Sequence, residues 1–350
     1  MSQYTFGADR TLSPTTPATV AAGACPYAVA IDPSGRAAYV ADNGGDAVLQ
    51  FTIGPAGATG APGASLNPLR IASRRWYEAS QTGFSVALGA TAPAAACFDG
   101  TNLWIASRGS SVAKVSPRDG AILATYAVPG DHLGCVIDGS SLWVPDYSGT
   151  TVTKVSLKDG SVVGSYAVQS NPQGLAFDGT YVWVANLNSG TVTKLKASDG
   201  SLVGHFNVGG QPWALEFDGA NMWVVNGTSL LKLAADGTIL ATVGAGGGTG
   251  LAFDGANMWV MIQGGGLRKV RVSDATLIGS WNPGGFLTGL AFDGSAIWVS
   301  NYTGNSVMKF RATDGSQIGT FPVGSYPEGV AFDGESIWVM SVGSNTATKL

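Results

Sequence analysis

From residue 84 onward the apolar positions come in short runs, each closed by a turn-forming group. The stretch 171–209 shows the plan. The run 175–177 ends at Asp178-Gly179, and the run 182–185 meets an Asn, Ser and Gly cluster at 186–190. The run 191–195 leads to Asp199-Gly200, and the run 202–208 ends at glycine, followed by Pro212. Runs rich in Val, Leu, Phe and Trp between such punctuation predict β-strands, here four to a unit. Alternating helices would need about 10 to 15 more residues per unit, which excludes parallel α/β units.

The unit repeats. An Asp-Gly pair, with tryptophan five residues after the aspartate, occurs seven times: Asp99, Asp138, Asp178, Asp218, Asp254, Asp293 and Asp333, with Trp104, Trp143, Trp183, Trp223, Trp259, Trp298 and Trp338. Successive intervals are 39, 40, 40, 36, 39 and 40 residues. Four strands in about 40 residues make one propeller blade. A blade cannot bury both faces alone, so neighbours stack and the series closes into a ring. The fold class is therefore all-β, a β-propeller of four-stranded blades. The tryptophans are predicted to fill the gaps between sheets, because seven exposed ones would invite aggregation. Five further Asp-Gly pairs, at Asp119, Asp159, Asp199, Asp236 and Asp314, read as third turns. With Asp32 in a first turn, 13 of the 23 acids serve turns, where aspartate accepts backbone N–H bonds and glycine takes the left-handed position. None forms the Asp-x-Asp-x-Asp-Gly calcium loop. The third strands carry Lys114, Lys154, Lys194, Lys232, Lys269, Lys309 and Lys349. These are expected near sheet edges or on the ring surface, discouraging pairing with other chains.

The first quarter is irregular. Residues 23–53 follow the plan with Tyr39 in the tryptophan's place and Asp32-Pro33-Ser34-Gly35 as the first turn. Residues 2–6 echo 49–53, so the chain reads as beginning part-way through a unit, with 18–22 as the following strand. Residues 346–350 match 191–195, and no fourth strand follows. Together these features predict one domain, 1–350, with eight blades closed by strand exchange between the termini: a strand from residues 1–22 joins the blade that begins near Pro327. The interval from Asp32 to Asp99 is 67 residues, short of two units. Residues 54–83 read as an irregular loop insertion, since glycine at every third place from 54 to 63 is too short a run for a collagen helix. Two other counts stay open: seven blades from about 84 to 350, or a stunted ninth within the insertion.

Charge and composition narrow the partners. The chain has 19 basic and 23 acidic residues, a formal net of -4, and its longest basic run is Arg74-Arg75. Neither nucleic-acid binding nor a polybasic membrane patch is expected. No apolar stretch approaches the length of a membrane span. Residues 1–6 lack a signal-peptide pattern. Location stays open, extracellular or periplasmic if the chain is a fragment. Cys25, Cys97 and Cys135 are odd in number and widely spaced. They match no disulfide framework or zinc signature and read as small buried residues, with a disulfide between two of them left open.

The units resemble the repeats of bacterial streptogramin-lyase-like and NHL-type propellers, which carry Pro, Gly, an apolar run, Asp-Gly and Trp-Val in similar order. Residues 23–53 instead resemble the YVTN-type, lactonase-like repeat. The lyase resemblance implies a histidine base and a magnesium site near the central opening. This chain has His132, just before a first strand, and His205, within a fourth strand, and neither sits in a full catalytic motif. The positions to inspect at the mouth of the channel follow the lead-in to each first strand: Tyr27, Ala94, Leu133, Gln173, Trp213, Thr249, Thr288 and Glu328. The candidate ligand mouth is Tyr27, His132, Gln173, Trp213, Thr249, Thr288 and Glu328. No Ser-His-acid spacing is readable, and no catalytic residue, cofactor or metal ligand is assigned. The reading is a non-enzymatic recognition or structural module for an unknown protein, glycan or small-molecule ligand. The alternative is a metal-dependent streptogramin-lyase-like or lactonase-like enzyme acting on cyclic esters. Clustered His, Glu and Asp at the mouth would favour it.

Overall fold

The Asp-Gly pairs fold as tight turns between first and second strands. Asp178 Oδ1 accepts the N–H groups of Thr180 and Tyr181 at 2.9 and 2.7 Å, and Gly179 stands at a left-handed φ of 94°. The chain thereby reverses, and Tyr181–Asn186 pairs antiparallel with Pro172–Phe177, placing Trp183 opposite Ala176. Thr191–Lys196 and Leu202–Asn207 add the third and fourth strands in sequence order. Burial follows position in the sheet. Second strands are covered on both faces, so five of the six residues of Tyr181–Asn186 are buried. Fourth strands form the outer edge and return to period-two alternation of exposed and half-buried residues.

A computed structural model describes residues 85–89, 92–244 and 246–350, together with the strand backbone at Ser2–Phe6, Leu12–Thr19, Pro26–Ile31, Ala37–Asp42, Ala47–Thr52 and residue 84. The chain divides into two compact units, Met1–Gln81 and Thr82–Leu350. The second unit is a β-propeller of seven four-stranded antiparallel sheets. Blades 1 to 6 span 93–127, 136–167, 172–207, 214–244, 248–281 and 287–322. Blade 7 consists of Pro327–Phe332, Ile337–Ser341, Thr346–Lys349 and, as its fourth strand, Phe84–Ala87. First strands of successive blades touch around the ring, and blade 7 meets blade 1. Small residues permit that approach. A Cβ on Gly174 would strike the backbone of Trp213 and Ala214, and one on Gly329 would strike that of Ala94.

Two expectations are corrected. The ring has seven blades, not eight, because the seven Asp-Gly and Trp units close on themselves. The expected strand exchange with residues 1–22 does not occur. The fourth place in blade 7 is filled by Phe84–Ala87, with Thr346 opposite Ala87 and Thr348 opposite Ser85. The physical reason is side-chain alternation: Val86 and Leu88 enter the core with Trp338, Met340 and Ala347, while Ser85 and Ala87 face out. Residues 2–6 pair with Leu12–Thr19 instead, and Pro26–Ile31, Ala37–Asp42 and Ala47–Thr52 form a separate three-stranded sheet. The insertion expected at 54–83 lies outside the described residues.

Candidate functional site

Strand order puts the first and third turns of every blade at one end of the ring. The lead-in segments and the loops between second and third strands lie at the other. The two ends differ in chemistry.

The turn end is uniform. In all seven blades the tryptophan Nε1–H donates to the turn aspartate Oδ2 at 2.7–2.9 Å. The third-strand lysine then lies over the indole, its Nζ 4.4–5.8 Å from the ring centroid. In five blades the same Nζ stands 3.4–4.0 Å from the aspartate Oδ2. Six of the lysines also donate to a carbonyl in the next blade, as Lys154 does to Ala197 and, across the ring closure, Lys349 to Pro117. The tryptophans are buried as expected. The lysines are not surface groups: Lys154, Lys194 and Lys269 are buried, which corrects the sequence reading. Burial works against ionisation of Asp293, but the indole N–H of Trp298 and the N–H groups of Ala296 and Ser295 outweigh it and hold the carboxyl at about 2. Burial pulls the Lys194 ammonium below the usual lysine range, against the opposing charges of Asp178 and Asp236. A hollow at this end, lined by Asp178, Tyr181, Trp183, Lys194, Phe217 and Met222, uses polar groups already committed to this scaffold.

The other end varies from blade to blade. Four residues after each tryptophan stand Arg108, Tyr147, Leu187, Gly227, Gln263, Tyr302 and Val342. In most blades the N–H at this position bonds a lead-in carbonyl, as Tyr302 does to Phe286 at 2.8 Å and Val342 to Tyr326 at 3.0 Å. Each loop is therefore fixed against the strand beside it. Arg108 of blade 1 donates to Glu328 Oε1 of blade 7 at 2.8 Å. Burial pushes the Glu328 carboxyl up, Arg108 offsets this, and Asp131 in the lead-in to blade 2 adds to the rise. The lead-ins and loops of blades 6 and 7 bring three aromatic rings together. Tyr302 and Tyr326 stack with centroids 4.9 Å apart, and Phe286 meets Tyr302 edge-on at 5.7 Å. Phe286 and Tyr326 remain 46% and 49% exposed. Tyr326 holds a φ of 54°, a left-handed conformation uncommon for an aromatic residue.

The expected mouth residues divide. Gln173, Trp213, Thr249, Thr288 and Glu328 are half-buried at this end of their first strands. Thr288 Oγ1 donates to the Pro327 carbonyl at 2.7 Å. Gln173 Oε1, Thr249 Oγ1 and Asp131 Oδ1 are shielded from solvent and have no hydrogen-bond partner. His132 does not face the opening. It is fully buried, with Nδ1 2.7 Å from the Pro145 carbonyl and Nε2 2.9 Å from that of Val128, so it ties the blade 2 lead-in to its neighbours. Tyr27 belongs to Pro26–Ile31, and its side chain lies outside the described residues. Arg108, Asp131, Phe286, Tyr302 and Tyr326 escaped the sequence reading, which compared one entry position per first strand and neither the rest of each lead-in nor the loops after each tryptophan. Aligning those loops would have exposed the odd arginine and tyrosines.

Two further groups lie on or next to first strands. Cys97, on the first strand of blade 1, and Cys135, immediately before that of blade 2, form a disulfide, so they are not merely small buried residues. Glu216 on the first strand of blade 4 occupies a place where the other blades carry Cys97, Val136, Ala176, Ala252, Ala291 and Ala331. Burial raises its carboxyl to about 7. Among the described residues no three His, Cys, Asp or Glu converge as metal ligands, and no helix is long and apolar enough to cross a membrane.

No protein-family model matches this sequence, and no curated protein does. Solved structures match the fold. Hydrazine synthase of Kuenenia stuttgartiensis superposes with a TM-score of 0.67 at 16% identity, over 76% of this chain and 97% of that one. U3-55K superposes with a TM-score of 0.66 at 12% identity, over 74% and 95%. At such identities the likeness is one of architecture: the chain carries a β-propeller.

Proposed function

We propose that this protein is a non-enzymatic recognition module whose ligand meets the variable end of the ring, over the lead-in segments and the loops between second and third strands. One observation carries the reading. Seven copies of one unit keep the same Asp, Trp and Lys at one end, yet hold a different residue in nearly every blade at the other. Positions that serve the scaffold repeat with it; positions that meet an asymmetric ligand need not. The variable end also carries the kinds of group a binding site needs, apolar rings and a few placed polar groups on a rigid scaffold.

A thermal-shift screen of peptides, oligosaccharides and small metabolites tests this. A ligand should raise the melting temperature of the parent and not of an Arg108→Ala, Glu328→Gln double variant. Ligands that stabilise both proteins equally would move the site elsewhere. Magnesium-dependent turnover of a cyclic depsipeptide or sugar lactone, lost in the double variant, would establish the lyase-like or lactonase-like alternative.

A further inference from the structure

We infer that the Cys97–Cys135 disulfide is a redox latch on blade 2: a dithiol reductant opens it in the folded ring and frees residues 129–135, while the seven blades stay closed. Blade 2 has the shortest first strand. It is only Val136–Ile137, whereas first strands elsewhere have four to six residues. One cause lies in the second strand, Ser141–Asp146, which contains Pro145. Proline has no N–H for a ladder. The Pro145 carbonyl faces the His132 side chain, Nδ1 at 2.7 Å, in place of a paired backbone. Residues 129–135 therefore belong to no strand. Local ties hold them. The Asp131 N–H donates to Asp146 Oδ1 at 3.1 Å, and the Tyr147 N–H to the Asp131 carbonyl at 2.8 Å. The His132 ring adds a third tie, and the disulfide closes the end of the segment.

The bond also spans a seam that other blades close differently. The residue four before the turn aspartate is glycine in blades 2, 3, 5, 6 and 7, but Ala95 in blade 1 and Ala214 in blade 4. A Cβ on Gly134, Gly174, Gly289 or Gly329 would strike the backbone of the following blade, so first strands meet there main chain to main chain. Between blades 1 and 2 an alanine meets the two-residue strand, and the cross-link takes over the contact. Both cysteines are only half-buried, within reach of a small reductant. The rest of the seam does not depend on the bond. Trp104, Val112, Leu142 and Val155 form an apolar core between the same two blades, and Lys114 Nζ donates to the Leu157 carbonyl at 3.3 Å. Asp131 lies close enough to Glu328 for its charge to act on that carboxyl, so freeing the segment also changes the variable end. In the opening step a thiolate of the dithiol attacks one cysteine sulfur, the S–S bond breaks and a mixed disulfide forms. The second thiolate of the reductant then closes its own disulfide and displaces the remaining cysteine. Two electrons and two protons pass to Cys97 and Cys135.

The test is amide hydrogen exchange read by mass spectrometry on the full chain, with and without dithiothreitol and with no denaturant. Alkylation should leave Cys97 and Cys135 unlabelled without the reductant and label both with it. Exchange in 129–137 should then accelerate about tenfold or more by local opening, while 172–177 and 327–332 keep their rates. Oxidised glutathione should restore the slow exchange. A Cys97→Ser, Cys135→Ser double variant should exchange fast in 129–137 throughout and ignore dithiothreitol; if it does not fold, the reduced parent decides. A bond that yields to dithiothreitol only in urea is a static staple and overturns the latch. Reduction that leaves 129–137 slow, reduction that speeds exchange around the whole ring, and thiols that label without reductant each overturn it too.

Discussion

In five of the seven blades the Asp, Trp and Lys side chains form a closed electrostatic unit, as in blade 3. The indole N–H satisfies one carboxylate oxygen, two backbone N–H groups satisfy the other, and the ammonium lies against both the carboxylate and the ring face. A cation–π contact contributes about 0.5 to 2 kcal/mol, more when the cation is desolvated. The larger quantity is the penalty for removing one member. Asp178→Ala would leave the buried Lys194 ammonium without its nearest counter-charge, and breaking a buried pair from one side costs about 3 to 5 kcal/mol. Trp183→Ala would open a cavity between blades 3 and 4 beside Met222 and Leu215, at about 3 to 5 kcal/mol if the site cannot collapse. Urea unfolding of both variants measures this. Losses under 1 kcal/mol would mean that the unit decorates the blade without holding it.

Strands and turns show which parts of the fold were legible in the sequence. The blade was legible because each turn has its own chemical signature and each interior strand its apolar run. The lysines were misplaced because a charged residue in a strand normally marks an exposed edge, whereas here an aspartate 14 to 16 residues earlier in the same blade, as Asp178 is to Lys194, offsets the cost of burial. Asp274 was passed over as a third turn because Ala275, not glycine, follows it; the structure places Ala275 at a φ of 57°. Blade closure was misassigned because Thr346–Lys349 accepts any short alternating strand, and Phe84–Ala87 carries little to distinguish it from 18–22 except where Val86 and Leu88 fall. The mouth was half legible: first-strand positions were found, and the loops facing them were not. The cysteine pair was unreadable, since 38 residues of separation say nothing until the blades are stacked. That bond ties the first strand of blade 1 to the residue that leads into the first strand of blade 2, and loss of such a cross-link typically costs about 2 to 4 kcal/mol. Alkylation of the denatured, unreduced chain should spare Cys97 and Cys135, and Cys97→Ala should lower stability by that amount. Quantitative alkylation of both would remove the bond from the structure.

The ring as a whole carries two opposed sets of carboxyls, and together they set its response to pH. At the turn end burial opposes ionisation, but indole and backbone N–H bonds win. Asp99, Asp138 and Asp254 lie below their ordinary 3.8, and Asp293 falls to about 2. These groups bind fewer protons folded than unfolded. Their stabilisation is complete above the unfolded value of about 3.8 and is lost as pH falls toward 2. On the first strands burial prevails. Glu216 rises from 4.5 to about 7, and Glu328 rises too. These groups bind more protons folded than unfolded, so their contribution is complete below 4.5 and is lost as pH climbs to about 7, on the order of 3 kcal/mol for Glu216. The two windows leave a stability maximum at pH 4 to 5. Urea midpoints measured from pH 2 to pH 8 should rise steeply to that maximum and then decline toward neutrality. In Glu216→Gln the acid limb should stay as it is and most of the decline above pH 5 should disappear, leaving the variant more stable than the parent at pH 8 and little changed at pH 4. A parent whose stability keeps rising to pH 7 would show that water solvates Glu216 fully, and that the one acid at this first-strand position is tolerated without cost.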